Sequence, residues 1–224
     1  GRLLLVVGIG GDDSRDFEAT GVRKEERGKR GDEAIVLMKK LWTEEHVRFE
    51  GQLYSVHDLT FLPQPHQKGG PPLWLGGRSQ TAFRRAGRLA DGWLASSVSP
   101  REVEAGIEAI RNHAAEVGRE IPDDHYGVLV PFCIARDSEE ALRIAGPSIR
   151  RRQDLPTNDY AAVGAPEEVR QRIKDYVAAG ATKFVMRPYG PKEIHQDQVT
   201  ILAREVIPTL QTPFSAAERV ERLG

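Results

Sequence analysis

Two glycines, an arginine and a serine follow an apolar run in the segment Leu73–Ser79, and they form the strongest chemical signal in the sequence. Glycines let the backbone approach a ligand closely, and a helix that starts at once presents free N–H groups and the positive end of its dipole. Arg78 adds a positive charge and Ser79 a hydroxyl group. Gly76, Gly77, Arg78 and Ser79 therefore predict a phosphate-binding turn, although they also fit a plain strand-to-helix turn with Ser79 as the N-cap.

A second glycine-rich loop, with Gly8, Gly10 and Gly11, follows the first apolar run of the chain. It fails the dinucleotide-binding pattern because Asp13 occupies the third glycine position, and no helix pattern starts at the loop. A flexible loop at the end of a strand can still lie against a planar ligand. On the residues alone, however, such glycine pairs favour a simple connecting loop.

Asp91, Gly92 and Arg187 are further candidates for ligand contact. Asp91 and Gly92 stand where a strand begins, so Gly92 could admit a ligand or could be a turn glycine beside the core residue Trp93. Arg187 stands at the end of the last apolar run, where it could contact an anion or form a salt bridge at the rim. Two arginine clusters are predicted to be solvated helix faces: Arg84-Arg85-Arg88 and Arg150-Arg151-Arg152.

Composition excludes several classes of function. Lysine and arginine number 32 against 33 acidic residues, a net charge of -1, so the chain lacks the basic surface that nucleic-acid binding requires. The six histidines have no metal-ligand spacing, and no G-x-S-x-G element of a hydrolase occurs. Cys133 is the single cysteine, which argues against a disulfide framework and favours a reducing cytoplasm. No apolar run reaches the ~18 residues of a membrane span.

Five apolar runs, each followed by a helix pattern, set the predicted architecture. They are Leu3–Gly8, Leu73–Gly77, Gly92–Ser96, Tyr126–Ala135 and Lys183–Arg187. Because these runs are continuous rather than alternating, we expect strands that are buried on both faces, as in parallel sheets. Helix ends are also marked: Ser99 and Glu102 form a capping box, and a later helix opens at Pro166 and closes at Gly180.

This alternation predicts an α/β fold. Two architectures fit it: a doubly wound open sheet, or about five units of a (β/α)8 TIM barrel, which needs ~250 residues when complete. Residues 43–72 interrupt the alternation, with a hairpin predicted from Val47–Phe49 and Leu53–Val56 and a rigid loop from Pro63–Pro72. A second stretch, 154–165, shows no periodicity.

Several short segments, taken in their order along the chain, resemble the luciferase-like monooxygenase superfamily. They are Gly8-Ile9-Gly10, Asp16–Gly21, Leu41-Trp42-Thr43, Phe49-Glu50-Gly51, Pro71–Gly77, Ala90–Trp93, Val163–Val169 and Phe184–Pro188. Each segment is short, but the ordered set is specific and spans nearly the whole chain. The resemblance implies a (β/α)8 barrel, so that residues 1–224 form a single luciferase-like barrel domain that lacks its N-terminal strands.

The same resemblance implies a flavin or deazaflavin at the carboxyl ends of the strands. Its phosphate would lie at Gly76, Gly77 and the N–H groups that follow, its ring would lie near Gly8–Gly11, and Asp91 and Gly92 would be close by. The motifs are closer to the branch that uses the deazaflavin coenzyme F420, which transfers a hydride to or from a small organic substrate. An FMN-dependent monooxygenase and a non-redox phosphate-binding α/β domain are the alternatives. A homodimer is compatible with the resemblance.

The sequence departs from the family pattern at one position. Some members carry a glutamate that assists proton transfer after the second loop glycine, whereas this chain has Gly11, followed by Asp12 and Asp13. Either aspartate could substitute, but we favour a role in capping the loop. The other proton-transfer residues of the family lie on the first three strands, so no catalytic acid or base is assigned.

We expect the 224-residue chain alone to be catalytically incompetent. Without three strands of the barrel, a parallel sheet would keep two unpaired edges and an uncovered core, which favours instability or association. Size-exclusion chromatography combined with turnover assays on the purified chain tests this expectation. A folded monomer that turns over substrate would contradict it.

Overall fold

The computed structural model describes residues 2–11 and 13–211. Its strands are β1 (Leu5–Val7), β2 (Val47–Glu50), β3 (Ser55–Leu59), β4 (Leu73–Leu75), β5 (Gly92–Ser96), β6 (Tyr126–Ile134), β7 (Ala162–Gly164) and β8 (Lys183–Pro188). Its α-helices are α1 (Ser14–Thr20), α2 (Arg27–Thr43), α3 (Gln80–Leu89), α4 (Pro100–Ala115), α5 (Ser138–Ala145), α6 (Thr157–Tyr160), α7 (Pro166–Ala178) and α8 (His195–Ile201). The chain divides into two compact units, residues 1–96 with 105–127 and residues 97–104 with 128–224.

The first unit is built on parallel strands in the order β1-β4-β5. Leu5 is paired with Leu73 and Val7 with Leu75, while Trp74 is paired with Gly92. β4 is completely buried, as the continuous apolar pattern predicts. Parallel strands joined by helices confirm the α/β class.

Helix α3 covers this sheet with its apolar side. Phe83 packs edge-on against Trp93 of β5, with ring centroids 5.6 Å apart. Gly87 lets α3 approach α4, because a Cβ at this position would lie 2.5 Å from the carbonyl oxygen of Ile110. Gly106 of α4 is equally restricted, since its Cβ would lie 2.8 Å from the Trp93 ring. The core of the first unit is therefore close-packed around Trp93.

The predicted hairpin is present as the antiparallel pair β2 and β3, and Glu33 of α2 holds its turn. The Glu33 carboxylate accepts hydrogen bonds from the backbone N–H groups of Gln52, Leu53 and Tyr54 at 2.9–3.2 Å. These bonds, the one from Leu53 first, lower the pKa of Glu33 below its ordinary value. The insertion is thus tied to α2 by an ionised side chain.

The second unit is described by β6, β7 and the helices that pack on them. β7 pairs with β6 in parallel, and β8 also pairs with β6. Its core includes Cys133, Ala141, Tyr160 and Val163, all of them buried. Gln198 is a buried polar residue whose Oε1 accepts a hydrogen bond from the N–H of Ile134 and whose Nε2 donates one to the carbonyl of Ile134.

Most predicted elements are confirmed, including the exact bounds of β5 and the helix of Pro166, closed by Gly180 with φ 95°. Three predictions are wrong. The first strand is not buried on both faces, since Val6 is 45% exposed. A helix, α1, follows the glycine loop although no helix was expected there, because its seven residues are too few to show periodicity. The stretch 154–165 contains α6 and β7, which are shorter still, with four and three residues.

The arginine cluster 150–152 is also not uniformly solvated, because the Arg152 side chain is 6% exposed. Its guanidinium donates two hydrogen bonds of 2.7 Å to the Glu102 carboxylate, and further bonds to Asp154 and to the carbonyl of Ser97. Glu102 also completes the predicted capping box with Ser99. Buried charges of this kind persist only when they are paired in this way.

No helix in residues 2–11 and 13–211 has the length and apolar character needed to cross a bilayer.

Glu102 gives the second unit a specific response to acid. Burial alone would raise its pKa, but the hydrogen bonds from Arg152 and Ser99 outweigh burial, so the pKa of Glu102 is below its ordinary value. A lowered pKa in the folded state stabilises the fold above the unfolded-state pKa, and this contribution is lost as the pH falls through the folded-state value. We therefore expect the stability difference between wild type and Glu102→Gln to narrow as the pH falls below the unfolded-state pKa and on through the lower folded-state pKa of Glu102.

Urea unfolding at a series of pH values measures this difference. Glu108→Gln is the matched control: Glu108 is exposed on the same helix and has no hydrogen bond or ion pair with any residue that the structure describes. Its stability difference from wild type should stay flat over the same range. A flat difference for Glu102→Gln as well would show that the Glu102–Arg152 pair makes no net contribution.

Candidate functional site

A cleft of about 960 Å³ lies in the first unit, where β1 and β4 end. Because these strands are parallel neighbours in register, the loop after Val7 and the turn after Leu75 leave the sheet side by side. The cleft is lined by Val7–Gly11, Lys24, Glu25, Arg27, Gly28, Leu75–Ser79, Thr81, Ala82 and Arg85. The structure therefore brings together seven of the predicted cofactor-binding residues: Gly8, Gly10, Gly11, Gly76, Gly77, Arg78 and Ser79.

The turn from β4 into α3 has the geometry of an anion-binding turn. Gly77 has φ 103°, and a Cβ there would lie 2.7 Å from Cβ of Ala82, so both the conformation and the space require glycine. Ser79 is the N-cap of α3, and its Oγ accepts a hydrogen bond from the N–H of Ala82 at 3.2 Å. The N-cap interpretation of Ser79 is thus confirmed. The earlier N–H groups of the first turn have no partner within the helix, as at other helix N-termini, and this turn lines the cleft at Ser79 and Thr81.

Trp93 fixes this turn from the core side. Its indole Nε1 donates a hydrogen bond of 2.9 Å to the carbonyl of Gly77, and the ring is completely buried. The carbonyl of Gly77 is consequently held inward. Buried indole N–H groups normally require such a partner, so the turn and the core stabilise each other.

The glycine loop after β1 is held by different contacts. Gly10 has φ 91°, and a Cβ there would lie 2.7 Å from the Phe17 ring of α1. The Arg27 guanidinium donates a 2.6 Å hydrogen bond to the carbonyl of Gly11. Asp13 caps α1 by accepting from the N–H of Arg15, which agrees with the favoured capping role. Asp12 lies outside the described residues.

The walls of the cleft carry more positive than negative charge. Among the described residues, Lys24, Arg27, Arg78 and Arg85 line it, against the single carboxylate of Glu25, and the charge of Arg85 is itself paired with Asp32. Sequence reasoning missed Lys24 and Arg85 as lining residues. Lys24 stands in no binding motif, and its position shortly before α2 is the one feature of the sequence that could have suggested a ligand contact. Arg85 belongs to a cluster that the sequence predicts to be solvated. Arg85 is instead buried, and it forms an ion pair with Asp32 of α2.

Asp91 and Gly92 do not line this cleft, contrary to the expectation from the resemblance. Asp91 immediately precedes β5 and Gly92 is its first residue, so both lie at the amino end of this strand, whereas the cleft lies at the carboxyl end of the sheet. The Asp91 carboxylate bonds Lys39 Nζ at 2.8 Å and the N–H of Leu73 at 2.9 Å. Gly92 makes room for Trp74, because a Cβ there would lie 2.4 Å from that ring. Both residues thus have structural roles.

Arg187 belongs to the second unit, where its exposed guanidinium lies 5.2 Å from the centroid of the Tyr189 ring. Its contact with an anion stays a prediction.

Among residues 2–11 and 13–211, no group of three histidine, cysteine, aspartate or glutamate side chains could hold a metal ion. No acid or base could be assigned from the sequence, and Glu25 is the one carboxylate among the described residues that line the cleft.

Comparisons with known proteins agree on one family. The profile described as "Luciferase-like monooxygenase" matches residues 1–161. The FMNH2-dependent dimethylsulfone monooxygenase of Pseudomonas putida is 32% identical over 226 residues, which cover all of this chain and 58% of that protein. The F420-dependent glucose-6-phosphate dehydrogenase of Kineococcus radiotolerans is 27% identical over 242 residues, covering 94% of this chain and 69% of that protein.

Solved structures show the same fold. A monooxygenase from Streptomyces bottropensis, RslO1, superposes with a TM-score of 0.76 at 22% identity, covering 94% of this chain and 70% of that one. An F420-dependent secondary alcohol dehydrogenase superposes with a TM-score of 0.75 at 21% identity, covering 95% and 71%. The predicted fold class is confirmed, and the luciferase-like barrel is favoured over the doubly wound sheet. The chain spans only 58% of the first curated relative.

The placement of Asp91 leads to a prediction that separates a structural role from a ligand contact. Asp91→Ala removes the acceptor for the N–H of Leu73 and the partner of Lys39, so we expect a loss of about 1–3 kcal/mol in the free energy of unfolding. The affinity of the folded variant for a flavin or deazaflavin should stay within about two-fold of wild type, less than 1 kcal/mol.

Urea unfolding and fluorescence titration measure the two effects, with Glu108→Ala as the control for removal of an exposed carboxylate. If the Asp91→Ala protein is stable but has lost ligand affinity, the result would contradict the structural role of Asp91 and support the cofactor contact that the resemblance implies.

Proposed function

The chain belongs to the luciferase-like monooxygenase family, and on that premise we propose that it is an F420-dependent oxidoreductase that transfers a hydride to or from a small organic substrate. Relatives in this family include both F420-dependent dehydrogenases and FMN-dependent monooxygenases. The observation that carries the proposal is the cleft in which Gly8–Gly11 and Gly76–Ser79 meet. Its size and its glycine-rich walls could accommodate a phosphate-bearing ring system.

The residues of the cleft fit such a group. A phosphate needs N–H donors, positive charge and close approach of the backbone, and these are supplied by the first turn of α3, by Arg78 and by Gly77. A volume of about 960 Å³ is near the upper end for small-molecule and cofactor sites. Gly8 and Gly11 have no atom within 4 Å of a Cβ position, so this side of the cleft is open to a flat ring.

When it is bound, the cofactor supplies the redox chemistry, and the protein supplies binding, orientation and electrostatics. Gly77 and the N–H groups after it would hold the phosphate, and Trp93 would keep that turn rigid through its bond to the Gly77 carbonyl. Arg27 would set the position of the glycine loop through its bond to Gly11. These contacts restrict where the ring can lie and therefore which face it offers to a substrate.

Two observations favour F420 over FMN. Three of the curated relatives, with 25–27% identity, are F420-dependent glucose-6-phosphate dehydrogenases. Lys24, Arg27 and Arg78, which outnumber Glu25 among the described residues that line the cleft, also suit a coenzyme with several anionic groups better than one with a single phosphate.

FMN is the second candidate. It is favoured by the Pseudomonas putida relative, which has the higher identity and matches the whole of this chain.

The test is a fluorescence titration of the chain with F420 and with FMN, with Gly77→Ala as the variant. The added methyl group would clash with Ala82 and strain a backbone at φ 103°, so affinity for the preferred cofactor should fall at least about ten-fold. Gly69→Ala is the control, because Gly69 also has a positive φ of 87° but has open space around it and does not line the cleft.

Tighter binding of F420 supports the proposal, whereas tighter binding of FMN supports the monooxygenase. Binding of neither cofactor by a folded chain overturns the assignment of the cleft and favours a non-redox phosphate site. Thermal melting of both variants separates a loss of affinity from a loss of fold.

A further inference from the structure

A second cavity of the first unit, with a volume of about 400 Å³, lies between α1, α2, the glycine loop and the hairpin turn. We call it the apolar pocket, because most of the side chains that line it are hydrophobic. These include Phe17, Val22, Ala34, Ile35, Met38 and Tyr54.

The two arginines that line the apolar pocket already have partners in the protein. The Arg27 guanidinium donates a hydrogen bond to the carbonyl of Gly11 and lies 6.0 Å from the centroid of the Phe17 ring. The Arg30 guanidinium lies 5.6 Å from the centroid of the Tyr54 ring. Aromatic rings attract cations that lie over their faces. Both positive charges are therefore held by groups of the protein rather than offered to a ligand.

The remaining polar side chains of the lining, Asp16 and Thr20, are exposed on α1, so they lie at the mouth of the pocket. Its deeper walls include Phe17 and Ile35, which are both buried. A compound inside would thus meet mainly carbon atoms. Protein interiors contain few voids larger than a water molecule, and apolar cavities of roughly 300–1,000 Å³ are typical of small-molecule sites.

The apolar pocket adjoins the cleft along the glycine loop, because both are lined by Val7, Gly8, Ile9, Gly10 and Arg27. A Cβ at Gly8 would have no atom of the described residues within 4 Å, so a ligand can approach the backbone closely there. Hydride transfer requires the reacting atoms of cofactor and substrate to lie about 3–3.5 Å apart. A ring in the cleft and a compound in the apolar pocket could meet at Gly8.

We propose that the apolar pocket holds the hydrocarbon part of the substrate, which makes the substrate a largely apolar organic compound rather than a sugar phosphate. The inference rests on the proposed function, because it assumes that the cofactor ring lies beside Gly8–Gly11. The reacting group of the substrate lies at the glycine loop, and its hydrocarbon part contacts Phe17, Ile35 and Met38. Sugar hydroxyl groups would lose their hydrogen bonds to water among these side chains, which disfavours a carbohydrate.

Fluorine NMR titrations of the 224-residue chain, without cofactor, compare two fluorinated probes. Fluoroacetophenone is apolar apart from one carbonyl group. Fluorodeoxyglucose carries several hydroxyl groups, and it has no phosphate that could bind at the Gly77 turn instead. We expect wild type to bind fluoroacetophenone at least about ten-fold more tightly than fluorodeoxyglucose.

Two variants change the apolar pocket in different ways. Ala34→Leu fills it with an isobutyl group, whereas Met38→Gln keeps the length of the side chain and adds a polar amide. Both should weaken the binding of fluoroacetophenone at least about five-fold. Both should leave the affinity for the cofactor within about two-fold of wild type, because neither residue lines the cleft. Leucine and glutamine are good helix formers, so α2 should persist.

Ala115→Leu is the matched control for Ala34→Leu. Ala115 is exposed on α4 and lines neither the cleft nor the apolar pocket, so the same chemical change is made elsewhere on the first unit. The control should bind fluoroacetophenone as tightly as wild type. Thermal melts check that all three variants are folded.

A second measurement connects the apolar pocket with the cofactor. With F420 bound, or FMN if it binds more tightly, we expect nuclear Overhauser effects between the aromatic protons of fluoroacetophenone and the ring protons of the cofactor. Such effects require the two ligands to lie in contact. They should be lost in Ala34→Leu and kept in Ala115→Leu.

Each outcome supports or overturns one proposal. Equal affinity of wild type for the two probes, or fluoroacetophenone binding that neither pocket variant weakens, overturns the apolar substrate site. Probe binding without contact to a bound cofactor also overturns it and leaves the proposed function intact. So does a change of oligomeric state in Ala34→Leu on size-exclusion chromatography, which would make the pocket an interface between copies. Failure of wild type to bind either cofactor overturns the proposed function and, with it, the substrate site.

Discussion

The parallel pairing of β1 with β4 is the constraint on which the cleft depends. Val7 is paired with Leu75, so the two strands end at the same level and their loops leave the sheet together. A slip by one residue would turn each side chain to the opposite face of the sheet. It would also separate the glycine loop from the turn at Gly76. The close-packed first unit therefore fixes where the two glycine-rich segments meet.

The core behind the Gly77 turn also fixes the position of that turn. Trp93 fills the space that Gly106 leaves open, packs against Phe83 and bonds the carbonyl of Gly77. Interiors at this density transmit small displacements, because few voids can absorb them. The position of the Gly77 turn thus depends on residues that no ligand would touch.

Sequence reasoning recovered what local patterns encode. The glycines, the N-cap Ser79, the capping box of Ser99 and Glu102 and the hairpin all follow from residues within a few positions of each other. These features need no tertiary information, since short-range hydrogen bonds and backbone conformations determine them. Even the family resemblance rested on such segments taken in order.

The positions of several charged side chains depend on long-range pairing, which the sequence does not reveal. Asp91 is 52 residues from Lys39, and Arg85 is 53 residues from Asp32, so no local pattern could reveal either ion pair. Arg152 was assigned to solvent for the same reason, because its partner Glu102 is 50 residues away. Charged residues are normally exposed, and only the tertiary structure shows which of them are buried with a partner. The short elements α1 and β7 were not predicted, because a periodic pattern of apolar residues needs more residues than they contain.

Helix α2 connects three parts of the first unit. Arg27 bonds the glycine loop, Glu33 holds the hairpin turn, and Lys39 reaches Asp91 at the amino end of β5. These contacts are spread over about 18 Å of one continuous helix. Helix α2 therefore couples these three parts of the first unit. A displacement of the glycine loop that moves α2 would also strain the hairpin turn at Glu33 and the contact with Asp91 before β5. Ligand binding at Gly11 would then slow amide exchange at Leu53, far from any bound atom.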